Sequence, residues 1–427
     1  MDSEQNKIGP HDNVVPIITQ RSAHSISRKV VDEEALKVLY RLHHHGFLSY
    51  LVGGSVRDIL LGKTPKDFDV ATNAHPHEVN ALFRNSRIIG RRFRLVQVYF
   101  KGGKVVEVST FRSRSEYEEV EAEDGTITQR DSFGTPGEDA FRRDLTINGL
   151  FYNIADFSII DYVGGIEDLN RGVIRTIGDP DERFKQDPVR MIRVIRHAAR
   201  TGFTIDGPTY RALFQQREEI RKCSPSRVRD EFLRDLKEGV AKPSLRLMLE
   251  TGLFFSIFPD FIRALGERNP LKDQAQRSLQ ALFGLVDQLV TMGRSVSDSI
   301  LLALLVTPLL RVVTPEHPYL GEKEQNIYRI QNTRLVLHQS LIPYSFPRGV
   351  KEAAAQILIA QPNLKKSLRF GAIPKRLRTK KYFQEAVLYL GIEAQARGEK
   401  VPHLLRRALP QDFLPWWPKE FKTRHHR

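Results

Sequence analysis

The stretch running from Leu51 to Val70, Leu-Val-Gly-Gly-Ser-Val-Arg-Asp-Ile-Leu-Leu-Gly-Lys-Thr-Pro-Lys-Asp-Phe-Asp-Val, limits what this chain can fold into more than any other. An apolar run ends on Gly53 and Gly54. Having no Cβ, these residues let the backbone turn with its N–H groups toward a phosphate chain. Farther on, Asp67 and Asp69 flank Phe68. In a strand that spacing puts both carboxylates on one side and Phe68 toward the core. Two carboxylates on one side suit two divalent ions about 4 Å apart. The donors are oxygens and no Cys/His cluster lies nearby, so Mg²⁺ fits better than zinc. Taken singly, a Gly-Gly pair is a common turn and an Asp-x-Asp is a pair of solvated charges. Together in one stretch, with Arg57-Asp58 between them, they describe a phosphate-handling metal site.

The chain has 427 residues, enough for two to four domains with real cores. Its 66 Lys+Arg outnumber 51 Asp+Glu, for a net charge of +15. That balance favours a polyanionic partner, nucleic acid first and an anionic surface second. A single cysteine, Cys223, excludes an internal disulfide and a cysteine-based metal site, and fits a reducing compartment; it reads as a helix-end filler. No secretory signal opens the sequence. The most apolar stretch, Ile300 to Leu310, is interrupted by Pro308 and is too short to cross a bilayer. It reads as a buried helix, in a chain expected in the cytoplasm and not in a membrane.

Residues 1–28 are polar and lack periodicity, and read as a mobile arm. From Asp32 to His45 apolar residues recur at helical spacing, with Asp32 placed as N-cap and Gly46 as C-cap. The run His43-His44-His45 points three ways on a helix and reads as surface. Strand-like stretches follow at 48–52, 68–71, 95–100 and 105–110, then at 150–154 and 159–162. Between them, 113–137 is charged and reads as a mobile loop. After Asp179-Pro180 the period turns helical, with no strand signal beyond about residue 180. The fold class expected is α+β: a mixed-sheet head over 29–175, a helical neck over 176–260 and an all-α body over 261–427.

Residues 348–427 hold 18 Lys+Arg against 6 Asp+Glu. Phe370, Tyr382, Phe383, Tyr389, Trp416 and Trp417 are interleaved with them. Cations for phosphates beside rings for bases suit a single-stranded RNA path; the alternative is a solvated basic face over an ordinary aromatic core.

The 51–70 stretch resembles the head motif of the polymerase-β superfamily, and more specifically of the class II tRNA nucleotidyltransferase and bacterial poly(A) polymerase family. The resemblance covers about residues 48–377. It implies that Asp67 and Asp69 bind the metals, that Glu107 in Glu-Val-Ser-Thr-Phe-Arg is the third acidic position, and that Gly53, Gly54 and Arg57 cradle phosphates. Arg142-Arg143-Asp144-Leu-Thr-Ile-Asn148 is similar to the family motif that holds ribose and triphosphate. Two arginines offer fork donors to phosphate oxygens, and Asp144 and Asn148 suit a sugar hydroxyl. The segment from Asp161 to Asp168 resembles the hinge from head to neck. Gln186-Asp187-Pro188-Val189-Arg190 resembles the motif in which Asp187 and Arg190 read the base edge of the incoming nucleotide. Here Gln186 replaces the family's glutamate. Arg193 and Arg196 lie farther along the same helix, either toward RNA or on a solvated face.

The family contains poly(A) polymerases, which extend RNA with ATP, and CCA-adding enzymes, which complete tRNA with CTP and ATP. Residues 88–98, 130–134 and 372–377 resemble the first group; the basic tail is reduced to about 419–427. The resemblance therefore implies addition of AMP from ATP to RNA 3′ ends with Mg²⁺ and release of pyrophosphate. Addition of CCA or A to tRNA is the alternative. Single-stranded RNA ends are the expected partner.

Overall fold

The computed structural model describes residues 14–90, 94–121, 127–314, 319–341, 344–399 and 409. The chain divides into two compact units, Met1–Arg183 with Gly202–Thr209, and Phe184–Thr201 with Tyr210–Arg427.

The first unit is built on a mixed sheet. Its strands are β1 (Ile17–Thr19), β2 (Ser49–Val52), β3 (Asp69–Thr72), β4 (Ser86–Ile89), β5 (Leu95–Tyr99) and β6 (Val105–Thr110), with β9 (Leu150–Asn153) and β10 (Ile159–Asp161). The order is β1-β10-β9-β2-β3-β6-β5-β4. Only β3 and β6 pair parallel, and all other neighbours are antiparallel. The intervening β7 (Arg112–Glu121) and β8 (Ile127–Phe133) form a separate antiparallel ribbon. The reading of 113–137 as a loop is corrected there. Pairing wins over a charged composition because each strand's backbone groups find partners in the other. Two short strands, β11 (Val173–Ile174) and β12 (Thr204–Ile205), pair parallel. The second of these lies beyond residue 180, where the periodicity showed no strand.

Alternation along the strands creates two apolar faces. Leu51, Val70, Val106 and Val108 pack on one side with Val38, Leu39 and Leu42 of the helix Glu33–His44. That helix starts as its sequence dictates: Asp32 Oδ1 accepts the Glu34 and Ala35 N–H groups at 2.9 and 3.2 Å. Tyr50, Val52 and Ala71 face the other side with Phe111, Ala140 and Phe151. The arm expected over 1–28 does not extend that far. Ile17–Thr19 adds an edge strand beside β10, and His24 Nε2 lies 2.8 Å from the Phe157 carbonyl. Residues 1–13 of that expectation lie outside the described residues.

The second unit is helical. Its longest elements are Lys272–Thr291, Asp298–Val313, Glu322–Gln339 and Arg348–Arg369. Every residue from Ile300 to Leu310 is buried, Pro308 included. Among the described residues no helix is long and apolar enough to cross a membrane.

Candidate active site

β3 begins at Asp69, so Asp67 precedes the strand and the expected alternation starts one residue late. Phe68 still packs against the apolar face shared by Leu51 and Val70. Asp69 therefore projects to the opposite face, the one carrying Ala71 and Val52. In the parallel pair β3–β6, Asp69 is directly in register with Glu107. Gln97 on the next strand donates its Nε2–H to Glu107 Oε1 at 3.0 Å.

The three carboxylates interact. The Asp69 pKa is pushed up to about 6, first by loss of water around the carboxyl, then by the Glu107 charge; Arg143 opposes the rise and Asp67 adds to it. Asp67, Asp69 and Glu107 all reach the surface. Among the described residues, no three or more His, Cys, Asp or Glu side chains converge into a preformed metal cage. The donor set is nonetheless one that Mg²⁺ accepts, since that ion usually keeps waters and takes one or two protein carboxylates plus substrate phosphate oxygens. A carboxyl whose pKa is raised by loss of water and by like-charged neighbours is also one that a divalent cation would relieve.

Gly53 turns the chain from β2 into the helix Gly54–Leu60 at φ +69°, a conformation that side chains resist. A Cβ there would sit 3.2 Å from Arg143 Nη1. The glycine turn and the arginine motif, 90 residues apart in sequence, thus meet at one place. Arg143 lies over the Phe151 ring at 5.3 Å, on the sheet face that Asp69 shares. Its Nη2 donates to Asp139 Oδ2 at 2.8 Å. Arg142 ends the helix Pro136–Arg142, which opens on a reciprocal cap between Thr135 and Glu138.

Arg57 corrects its expected role. It is 1% exposed, its Nε and Nη2 donate to Asp58 Oδ1 at 2.9 and 2.7 Å, and its Nη1 donates to Asn148 Oδ1 at 2.6 Å. A guanidinium so committed and so buried holds the site's frame rather than a phosphate. It fixes Asn148, whose amide in turn donates to Asp144 Oδ1 at 3.4 Å. Sequence reasoning missed Arg183. Its Nη2 donates to the carbonyls of Phe141, Arg142 and Arg143 at 3.2, 2.8 and 2.8 Å, satisfying the end of the helix that delivers both arginines. In the Gly-Gly segment, Asp161 accepts the N–H groups of Val163, Gly165 and Ile166. Asp168 accepts from Thr146 at 2.7 Å and pairs with Arg175 at 3.0 Å. Gly165 is compulsory, because a Cβ would lie 2.2 Å from the Thr146 carbonyl oxygen.

In the second unit, Asp187 and Arg190 are adjacent as expected, with Arg190 Nε 3.8 Å from Asp187 Oδ2. Arg190 opens the helix Arg190–Thr201, and Asp187 precedes it, accepting the Arg190 N–H on its backbone carbonyl at 3.0 Å. Arg227 also pairs with Asp187, at 3.0 Å. Arg196 is not aimed at RNA. It is buried against Asp235 and Glu231, and Arg193 pairs with Glu231 at 3.1 Å. Cys223 is half-buried at the end of a helical turn, and burial pushes its thiol up.

Residues 49–175 match the poly A polymerase head domain family, and residues 202–265 match the family described as the probable RNA and SrmB-binding site of polymerase A. The chain is 44% identical over 272 residues to poly(A) polymerase I of Salmonella typhi, an alignment covering 62% of this chain and 57% of that protein. It is 36% identical over 231 residues to the CCA-adding enzyme of Lactobacillus helveticus, covering 53% of this chain and 55% of that one. The matches thus span little more than half the length of these relatives. Among solved structures, the CCA-adding enzyme of Bacillus stearothermophilus in complex with CTP is similar at a TM-score of 0.63 and 26% identity, over 90% of this chain and 82% of that chain.

Proposed function

We propose, from its similarity to bacterial poly(A) polymerases and CCA-adding enzymes, that this chain is a nucleotidyltransferase of their family and transfers AMP from ATP to RNA 3′ ends without a template. The RNA 3′-oxygen forms a bond to the α-phosphorus, the bond from that phosphorus to the bridging oxygen breaks, and pyrophosphate leaves with that oxygen. The hydroxyl proton is released.

The observation that carries the chemistry is the register of Asp69 against Glu107, with Asp67 beside them, on the sheet face reached by Arg143. Asp67 and Asp69, with Glu107, would hold Mg²⁺. When bound, that metal lowers the pKa of the attacking hydroxyl and neutralises the triphosphate. Gly53 and Gly54 give the triphosphate a close backbone approach. Arg142 and Arg143 supply its cationic contacts. Asp144 and Asn148 orient the sugar, with Arg57 bracing Asn148. Asp187 accepts from the exocyclic amine of the base, and Arg190 donates to a ring acceptor. This assigns the head to 29–175, joined by the edge strand Ile17–Thr19, the base-reading neck to 176–260 and the RNA-binding body to 261–427, in a cytoplasmic enzyme.

Replacing Asp69 tests the site. Asp69→Ala is expected to lower AMP incorporation by about a thousandfold or more, the scale of several kcal/mol of metal-borne charge stabilisation, with the fold intact by circular dichroism. Turnover near wild type would remove the metal assignment. The similarity to CCA-adding enzymes favours a second reading, completion of tRNA ends, in which CTP is also a substrate.

A further inference from the structure

On the side of the sheet away from Asp69, the first unit gathers hydrogen-bond donors that lack acceptors. Strand β9 turns Phe151 toward the face carrying Arg143 and Tyr152 toward the opposite one, where it packs with Leu39 and Leu51. Tyr152 is fully buried, yet its hydroxyl has no hydrogen-bond partner among the described residues. A buried hydroxyl left in that state is destabilising and uncommon. Burial also pushes its pKa above the usual tyrosine range, so at neutral pH the group keeps its proton and offers a donor.

Three further side chains with donors stand near it. Arg21 and Arg28 both act on the Tyr152 hydroxyl electrostatically, opposing the rise in its pKa, and the Tyr40 hydroxyl adds to that rise. Arg28 Nη1 donates to the Tyr40 hydroxyl at 3.1 Å, which leaves the Tyr40 proton for another acceptor. Arg21 Nη1 donates to the His24 carbonyl at 3.2 Å. Neither arginine forms an ion pair with a described carboxylate. The acidic group that acts on Tyr152, Asp156, is taken by Ser158, whose N–H and hydroxyl donate to it at 3.0 and 2.7 Å.

The surroundings are fixed in place. His24 Nδ1 accepts the Ile26 N–H at 3.2 Å, so Nε2 carries the proton and donates to the Phe157 carbonyl at 2.8 Å. Phe157 is held at φ +62°, a conformation that a phenylalanine resists, and Arg28 lies over its ring at 4.7 Å. The His24 ring meets the Tyr152 ring edge-on at 6.0 Å. Both arginines are exposed, so the site opens to solvent past their side chains.

We propose that Arg21, Arg28, Tyr40 and Tyr152 form a binding site for a phosphate group, carried by the free ion or by a phosphate monoester. Two guanidinium forks and two hydroxyl donors match an anion with several acceptor oxygens. A cation would be repelled by the arginines, and a neutral ligand would leave their charge uncompensated. The site lies across the sheet from Arg143, so it is separate from the contacts assigned to the triphosphate.

The test follows the melting midpoint of the full chain in phosphate-free buffer and through a series of inorganic phosphate concentrations at constant ionic strength. A parallel series uses glycerol 3-phosphate. Phosphate bound elsewhere, at Arg143 for example, is common to wild type and variants and cancels in their comparison. Tyr152→Phe removes only the hydroxyl. In phosphate-free buffer it is expected to melt at or above the wild-type midpoint, because an unsatisfied buried group is gone. Its affinity for phosphate, taken from the concentration dependence of the midpoint, should fall about tenfold, and Arg21→Met should cost about as much. A response to phosphate alone supports the site and identifies the free ion as its ligand; an equal or stronger response to glycerol 3-phosphate supports it and identifies an ester. Series that superimpose for wild type and both variants would overturn the proposal. So would a response weakened in Arg21→Met but intact in Tyr152→Phe, which would reduce the effect to surface charge.

Discussion

Asp69 is the residue on which the proposed chemistry turns, and its surroundings set a pH dependence. With the folded pKa at about 6, against an ordinary value of 3.8, the native chain keeps a proton that the unfolded chain has shed. Stability from this group therefore falls as pH rises from about 4 to about 6. A divalent ion that binds the ionised form reverses the penalty above that window and competes with the proton within it. Added Mg²⁺ should raise the melting midpoint at pH 8 and do so much less at pH 5, by differential scanning fluorimetry. An equal effect at both values would dissociate Asp69 from the cation. Arg57 makes the opposite kind of prediction. It lies beneath the site, so Arg57→Ala leaves Asp58 buried without its partner and should cost about 3–5 kcal/mol in urea unfolding. A loss of ATP binding at unchanged stability would instead restore Arg57 to the phosphates.

At the scale of elements, the site is assembled by three junctions: the turn from β2 through Gly53, the start of β3 at Asp69, and the end of the helix Pro136–Arg142. The last junction depends on Arg183, which binds three consecutive carbonyls. Arg183→Met should let Arg142 and Arg143 move, raising the KM for ATP several-fold more than it lowers kcat; a change in kcat alone would place the effect elsewhere. Much of this was legible in sequence. Asp32, the glycine pair, the strand after Phe68 and the buried Ile300–Leu310 helix all follow from local rules of capping, turn geometry and periodicity. The β7–β8 ribbon was not legible, because its charged residues carry no apolar alternation to betray a strand. Nor were the tasks of Arg57, Arg183 and Arg196. An arginine on a phosphate and one on a buried carboxylate look alike in sequence, and only distant partners such as Asn148 and Asp235 separate them.

For the whole molecule, the division of labour is one of charge and reading. The first unit brings together the carboxylates Asp69 and Glu107 and Arg143, which the proposed function assigns to the metal and the triphosphate. The second holds Asp187 and Arg190 side by side, three residues apart, which the proposed function reads as acceptor and donor for a base edge. Selection without a template requires such a fixed pair. The central claim is that this protein adds AMP, and AMP alone, to RNA ends. The most direct test incubates the purified chain and Mg²⁺ with a labelled generic oligoribonucleotide and with a tRNA trimmed of its CCA end, supplying ATP and CTP separately. The account predicts long ladders on both RNAs with ATP and none with CTP. Addition that stops after one to three nucleotides, occurs only on the tRNA and accepts CTP would contradict it and assign the chain to tRNA end completion.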